Sequence, residues 1–268
     1  MKRKMQMNTE KTIKIQAKKA LEGNWSTLIA QIMFALLAFI TLVFGFSFTM
    51  NAAGFYNVQE LSNAQKGAAT AVAIAFYFAA AAVSPLINGV YRSVCRIVSG
   101  NACDSLDVLY YFKKPQRFCK TVILNIISIG LFFIISRLVD VYSLISMLSD
   151  KITAANSALT PVMYVLLVLA WVASAAAAVV CYIIFVHYTF LAYGFNENLP
   201  IGFFLPKMAV FAVKNLGSTI KLFVGFIGWA ALCFFAVPAF YVAPYFLTAS
   251  AMSAKWLFEL EGGNEIVC

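Results

Sequence analysis

Charged and catalytic side chains are scarce in this chain of 268 residues, and their scarcity excludes several classes of protein. Only 12% of the residues are charged and 62% are hydrophobic, whereas soluble domains have about 25% charged and about 45–50% apolar residues. A soluble protein with this composition could not cover its surface with polar groups. The mean hydropathy of +0.84 therefore indicates an integral membrane protein with several spans.

Residues that carry common enzyme chemistry are also few. The sequence has one histidine and 11 acidic residues, and it contains no G-x-S-x-G elbow, P-loop, dinucleotide fingerprint or H-E-x-x-H motif. We therefore expect no catalytic residues, no metal site and no cofactor, and we interpret the protein as non-enzymatic. The six cysteines include no C-x-x-C pair, which favours reduced thiols over zinc ligands or disulfides.

Five uncharged apolar stretches define the expected fold. A hydrocarbon core of about 30 Å takes about 20 helical residues, and the last stretch, between Lys221 and Lys255, is long enough for two crossings. We expect an all-α fold, a polytopic membrane helical bundle with six transmembrane helices, in a single membrane domain over residues 1–268. The predicted spans are 26–50, 67–90, 121–144, 161–182, 222–237 and 240–254.

Lysine and arginine are distributed asymmetrically around these spans. With six crossings, 17 of the 20 basic residues lie on one side, which the positive-inside rule assigns to the cytoplasm. We therefore expect a plasma-membrane protein with both termini cytoplasmic, including segment 1–24 and tail 255–268. The net charge of +9 then lies beside the inner leaflet, whose anionic lipids are the expected partners. Nucleic acid is not expected, because the basic segments flank spans and lack interleaved aromatics.

Two inner segments are amphipathic, and one inner loop carries paired acids. Segment 1–24 places Ile13, Ala17 and Leu21 on one helical face, so we expect it to lie on the inner headgroups, with a partner-protein site as the alternative. A second amphipathic segment covers about 200–215. In the loop after the second span, we interpret Asp104 and Asp107 as helix-start acids rather than an acid/base pair or metal site.

Polar residues, glycines and prolines within or beside the spans are the candidate functional positions. Pro85 marks either a broken helix that lines a substrate path or a helix end at the inner interface. The amide of Asn125 and the hydroxyl of Ser128 can hydrogen-bond across helices. We expect the last two spans to form a hairpin that turns between Pro238 and Pro244. The candidates for a polar path or packing contact are Asn88, Asn125, Ser128, Gly225, Gly228, Pro238 and Pro244.

Ionisable residues stand near the ends of two spans. Arg137 and Asp140 are three residues apart, and we expect an interfacial salt bridge between them. The single histidine, His187, lies among tyrosines at the inner end of the fourth helix. We expect it to occupy an interfacial position rather than to relay protons.

Several motifs resemble one known family. They are A-K-K-A-L-E-G-N-W, S-P-L-I-N-G, N-E-N-L-P, K-N-L-G-S-T-I-K-L-F-V-G-F-I-G-W and V-A-P-Y-F-L-T-A-S-A. Together they resemble an uncharacterised family of bacterial integral membrane proteins, the domain of unknown function 975, and distantly the membrane domain of some glycerophosphodiester phosphodiesterases. The resemblance extends from about Ile13 to Leu260 and implies a six-span bacterial membrane protein with no assigned activity.

Two functions fit these features. The amphipathic segments and small-residue faces favour an accessory or membrane-organising component that binds lipid, another membrane protein or a second copy of itself. The alternative is a small-molecule or lipid transporter or permease component, which the prolines and buried polar residues suit. No charged residue lies deep enough in a span to couple ions, so we favour the accessory role.

Overall fold

The computed structural model describes residues 2–55, 62–155, 160–233 and 238–260. These residues form helices and turns and contain no β-strand, which confirms the predicted all-α class. The helices are α1 (Lys2–Leu21), α2 (Trp25–Ala52), α3 (Asn63–Val83), α4 (Pro85–Val98), a 3₁₀ helix (Ser105–Phe112), α5 (Pro115–Leu138), α6 (Val141–Ala155), α7 (Thr160–Tyr182), a π-helical turn (Ile183–His187), α8 (Tyr188–Phe195), α9 (Ile201–Val224), α10 (Ile227–Leu232) and α11 (Ala239–Leu260).

Four helical stretches are long and apolar enough to cross a membrane. They are Trp25–Ala52, Asn63–Val98, Pro115–Ser146 and Thr160–Phe195. Little of each apolar stretch is buried inside the protein, so most of it is available to contact hydrocarbon. The predicted spans 26–50, 67–90, 121–144 and 161–182 all lie within these helices. A membrane protein is therefore the class that the structure supports.

The chain forms two compact units. The first contains residues 1–126, 191–199 and 221–268, and the second contains residues 127–190 and 200–220. In the first unit α4 is the central element, because it contacts α1, α2, α11 and the 3₁₀ helix. Eleven of its 14 residues are buried. It begins at Pro85, directly after Ser84, and α3 ends at Val83. A helix thus ends beside Pro85, and both the position of this end at the inner interface and its alternative, a broken helix along a substrate path, stay predictions.

Gly89 lies where α4 meets the 3₁₀ helix. A Cβ atom at this position would lie 2.1 Å from the carbonyl oxygen of Val108, a distance that no side chain tolerates. Glycine is thus required for the close approach of the two backbones. This contact fixes the position of the 3₁₀ helix and of the polar side chains that it carries.

The last apolar block differs from the two uninterrupted helices predicted, although the predicted span 240–254 lies within α11. The α9 helix ends at Val224, Gly225 and Phe226 form a turn, and α10 has only six residues. Six residues rise about 9 Å, so the predicted span 222–237 is not one continuous helix; its residues 234–237 lie outside the described ones.

The two prolines of this block occupy different structural positions. Pro238 precedes α11, and its carbonyl oxygen accepts hydrogen bonds from the amides of Tyr241 and Val242. Pro244 is buried inside α11. The prediction that the turn extends from Pro238 to Pro244 is therefore wrong, because membrane-type helices can contain an internal proline and α11 begins at Ala239.

In the second unit α6 packs on α7, and the backbone amide of Tyr142 donates to Ser174 Oγ at 2.9 Å. Arg137 and Asp140 approach to 3.5 Å, which confirms the predicted salt bridge. His187 lies in the π-helical turn and is 2% exposed, so other side chains surround its imidazole, and its position at the membrane interface stays a prediction. A π-helical turn contains one residue more than an α-helical turn, and it thereby changes which side chains face the interior.

The N-terminal helix packs against protein rather than lying on headgroups. Its residues Ile13 and Ala17 are buried in one apolar cluster with Leu222, Phe226 and Ala249. The prediction that this apolar face contacts the membrane surface is therefore wrong, because α11 and the turn after α9 cover it. Hydropathy alone does not show whether lipid or protein covers such a face.

Lys14 anchors α1 to the turn after α9. Its Nζ donates to the carbonyl oxygen of Gly225 at 3.0 Å and lies 4.9 Å from the centre of the Phe226 ring. The hydroxyl of Tyr245 donates to the Lys14 carbonyl at 3.2 Å. Carbonyls at a helix C-terminus lack intrahelical partners and carry a partial negative charge, so an ammonium group there stabilises the end of α9.

We expect Lys14→Met to lower the thermal stability of the protein in detergent. The substitution keeps an unbranched side chain but removes the ammonium group from the Gly225 carbonyl. A hydrogen bond to a charged group contributes about 1.5–3 kcal/mol, and partial exposure of Lys14 should reduce the loss to about 1 kcal/mol. Lys18→Met, at an exposed position of the same helix, is the control, and an equal loss in both variants would contradict the anchoring role.

Candidate functional site

Three stripes of polar residues meet in the first unit. Within each stripe the residues recur every four positions, a spacing that places them on one face of a helix. The first stripe begins at the residue before α4 and continues along that helix. The second stripe lies on α5, and the third lies at the end of α8 and just beyond it. Their members are Ser84, Asn88, Arg92 and Arg96; Arg117, Thr121 and Asn125; and Tyr193 and Glu197.

Asn125 joins the α5 stripe to the α4 stripe at their uncharged ends. Its Nδ2 donates to Ser84 Oγ at 2.8 Å and to Asn88 Oδ1 at 2.7 Å. All three side chains are buried. The structure thus brings together two predicted path residues, Asn88 and Asn125, and adds Ser84. Asn88 Nδ2 and Asn125 Oδ1 have no hydrogen-bond partner among the described residues.

Aromatic residues occupy the middle of the stripes. The Oγ1 of Thr121 and the hydroxyl of Tyr193 are 3.0 Å apart. The Tyr193 ring stacks on the ring of Tyr111, with 5.4 Å between their centres and 18° between their planes. Tyr111 comes from the 3₁₀ helix and is fully buried. Its hydroxyl has no hydrogen-bond partner in the described part of the chain.

The charged ends of the stripes gather around Tyr110. The guanidinium carbons of Arg92 and Arg117 lie 3.4 Å and 4.4 Å from the centre of its ring. The Tyr110 hydroxyl donates to Glu197 Oε1 at 2.9 Å, and Arg117 pairs with the same carboxylate at 3.0 Å. Through these contacts the Tyr110 side chain joins the 3₁₀ helix to α4, α5 and the segment after α8.

Asp107 balances the arginines of α4. One of its oxygens lies 2.7 Å from Arg96 Nη1, and the other lies 4.0 Å from Arg92 Nη1. The Asp107 carboxylate also accepts a hydrogen bond from the backbone amide of Asp104 at 3.1 Å. Asp107 thus caps the start of the 3₁₀ helix and pairs with arginine, as its interpretation as a helix-start acid predicts.

We call these residues the rim cluster. Its members are Arg92, Arg96, Asp107, Tyr110, Arg117, Lys120 and Glu197, with Lys120 Nζ donating to the Glu197 carbonyl oxygen. The cluster has four basic side chains and two carboxylates. Its surplus of positive charge suits an anionic group, because salt bridges of partly exposed residues exchange readily for contacts with a ligand.

The other predicted positions do not join this site. Ser128 is buried in the second unit, and its hydroxyl has no hydrogen-bond partner among the described residues. Gly225 contacts Lys14, whereas a Cβ at Gly228 would meet no described atom within 4 Å. Pro238 and Pro244 belong to the start and interior of α11. Sequence reasoning missed Arg92, Tyr110, Tyr111 and Glu197, although the four-residue spacing of the stripes is visible in the sequence.

The second unit contains an apolar cavity of about 300 Å³ beside the π-helical turn. Residues that line it include Leu131, Phe185 and Pro206. A cavity with this lining suits an acyl chain better than a polar solute, because burying polar groups without partners is costly. The polar site of the first unit is therefore the better candidate for specific recognition.

Comparisons with protein-family models, curated proteins and solved structures found no match to this chain.

The two phenols of the 3₁₀ helix give the site a characteristic pH dependence. Burial raises the pKa of Tyr111 well above its ordinary value of 10.0, and burial together with the Glu197 hydrogen bond raises the pKa of Tyr110. Above pH 10 these two phenols therefore bind more protons in the folded protein than in the unfolded chain. The free energy of unfolding must then fall as the pH rises through this range.

We expect Tyr111→Phe to reduce this alkaline loss of stability. The thermal midpoint in detergent, measured from about pH 8 to about pH 11, should fall more steeply for the wild type than for Tyr111→Phe. Tyr77→Phe is the control: this phenol is 71% exposed and so lies on the detergent-facing surface of α3 instead of among other side chains, and the variant should follow the wild type. The same slope in Tyr111→Phe and the wild type would contradict the burial of the phenol.

Proposed function

We propose that this protein is a non-enzymatic membrane component that organises its surroundings by binding anionic lipids at the rim cluster. The observation that carries the proposal is the excess of arginine and lysine over carboxylate around Tyr110. Each basic residue near an anionic leaflet contributes about 1 kcal/mol of attraction. Arginine also binds phosphate through two parallel hydrogen bonds.

The proposal includes a six-crossing topology in the plasma membrane with both termini in the cytoplasm. The asymmetry of the basic residues supports it, since 17 of 20 then face one side. The rim cluster would lie at this inner surface, where lipid phosphates are within reach. The resemblance to a bacterial membrane-protein family supports the same assignment.

The topology predicts that the C-terminal Cys268 is protected in intact cells. A variant that keeps Cys268 as its only cysteine should resist a membrane-impermeant maleimide and should react after permeabilisation, because the tail is expected in the cytoplasm. A second variant, with one cysteine at the exposed Asn51, should react in intact cells and reports that the reagent works. Labelling of Cys268 from outside would contradict the six-crossing count.

The lipid-binding role predicts enrichment of anionic phospholipids on the purified protein. Native mass spectrometry of the protein in discs of native lipid should show anionic lipids retained by the wild type and lost in part from Arg96→Gln/Arg117→Gln. Two lost cations correspond to about 2 kcal/mol, or roughly 30-fold in affinity. Lys66→Gln, an exposed lysine on α3, is the control for a general loss of charge.

A small-molecule or lipid transporter is the second candidate function. The buried Ser84, Asn88 and Asn125 group favours it, because polar groups at depth are typical of solute paths. Uptake by reconstituted vesicles that Asn125→Leu abolishes would overturn the accessory role. Retained lipid or a stoichiometric membrane-protein partner without uptake would overturn the transporter.

A further inference from the structure

Three buried polar atoms, two in the rim cluster and one on the neighbouring Tyr111, have no hydrogen-bond partner among the described residues. They are Tyr111 Oη, Glu197 Oε2 and Arg92 Nη1, of which Arg92 Nη1 lies 4.0 Å from an Asp107 oxygen, too far for a hydrogen bond. Buried polar groups in folded proteins are almost always hydrogen-bonded, so a group of exceptions at one place needs an explanation. The Tyr111 side chain is fully buried. Each of the three atoms has hydrogen-bonding capacity that a bound ligand would satisfy.

Tyr110 brings the three atoms into one neighbourhood. The Arg92 guanidinium lies over its ring, and its hydroxyl donates to the other oxygen of the Glu197 carboxylate. Its ring meets the ring of Tyr111 edge to face, with 5.3 Å between the ring centres. Tyr110 thus contacts all three residues that carry an unpartnered atom.

The chemistry of the three atoms defines their ligand. Arg92 Nη1 and Tyr111 Oη can donate to an oxyanion, and a guanidinium beside a hydroxyl suits phosphate. Glu197 Oε2 only accepts, and its charge would repel a phosphate that brings no donor of its own. A ligand that satisfies all three atoms must therefore carry a phosphate and, one short linker away, a hydrogen-bond donor.

We propose that Arg92, Tyr111 and Glu197 form a headgroup site for a phospholipid whose phosphodiester ends in a hydrogen-bond donor, such as an ammonium or a hydroxyl. The phosphate lies against Arg92 and Tyr111, and the donor lies against Glu197. This inference rests on the proposed function and specifies it. The surplus cations of the rim cluster attract anionic membrane in general, whereas this site selects lipids by the end of the headgroup.

The test uses the full-length protein in discs of phosphatidylcholine, whose quaternary ammonium has no N–H group. Minor amounts of phosphatidylethanolamine or phosphatidylglycerol are added, and native mass spectrometry measures which lipid is retained. The wild type should enrich both added lipids over phosphatidylcholine. Tyr111→Phe should reduce this enrichment about ten-fold, because it removes one hydrogen bond to a charged phosphate. Tyr77→Phe, at an exposed phenol, should retain the wild-type preference.

Glu197→Gln tests recognition of the headgroup donor separately from recognition of the phosphate. The variant keeps an acceptor oxygen but loses the negative charge, so it should weaken retention of the ethanolamine lipid more than that of the glycerol lipid. Equal weakening of both lipids would overturn the assignment of Glu197 to the headgroup donor.

Thermal stability provides a readout that a purely structural role of Tyr111 would not reproduce. In detergent without added lipid, Tyr111→Phe should be as stable as the wild type or more stable, because it removes an unpaired buried hydroxyl. Added phosphatidylethanolamine should raise the midpoint of the wild type more than that of the variant. The same lipid-dependent shift in both proteins would overturn the inference.

Two further measurements show whether the ligand is a lipid or a free phosphate compound, and whether the proposed function itself is wrong. Free phosphoethanolamine has the same phosphate and ammonium groups but no acyl chains. If it raises the thermal midpoint of the protein as much as phosphatidylethanolamine does, the assignment of a lipid site is overturned. If Arg96→Gln/Arg117→Gln leaves anionic lipid bound as in the wild type, the proposed function fails. If that variant loses lipid but Tyr111→Phe retains the headgroup preference, only the present inference fails.

Discussion

The contact between Gly89 and the Val108 carbonyl determines how the first unit is built. With no Cβ on Gly89, the backbone of the 3₁₀ helix lies directly on α4. The short helix can then place Asp107 beside the α4 arginines and Tyr110 beneath Arg92. A larger residue in place of Gly89 would separate the two backbones, and every charged contact of the rim cluster that involves the 3₁₀ helix would lengthen with them.

The polar stripes become less charged along their length, and this order follows from the cost of burial. Arginines and carboxylates lie at the rim, hydroxyl groups lie in the middle, and only a serine hydroxyl and two amides lie at the far end, about 12 Å further along α5. An uncompensated charge at the centre of a bilayer costs at least about 2.5–3.5 kcal/mol, whereas a hydrogen-bonded amide costs less. The uncharged groups thus lie furthest from the rim, where an ion would be costliest to bury.

The sequence predicted the properties that depend on composition and local spacing. Hydropathy identifies the four long apolar helices, and three-residue spacing identifies the Arg137 and Asp140 pair and the capping role of Asp107. It could not show that α1 is covered by α11, because an apolar stripe has the same transfer free energy toward lipid and toward protein. It also could not locate the turn at Gly225, which depends on Lys14, 211 residues away along the chain.

The missed residues of the site show a related limit. Arg92, Tyr110 and Arg117 each have an ordinary explanation in isolation, as interfacial aromatics or basic flanks of spans, and Glu197 reads as an ordinary loop residue after α8. Their significance depends on three helices presenting residues at four-residue spacing toward one another, and spacing within one helix carries no information about its neighbours. The unpartnered atoms of Arg92, Tyr111 and Glu197 add what spacing cannot, since two donors and one acceptor define a ligand of mixed polarity. Charge count alone would have indicated only a general attraction to anionic membrane, and these three atoms make the site selective.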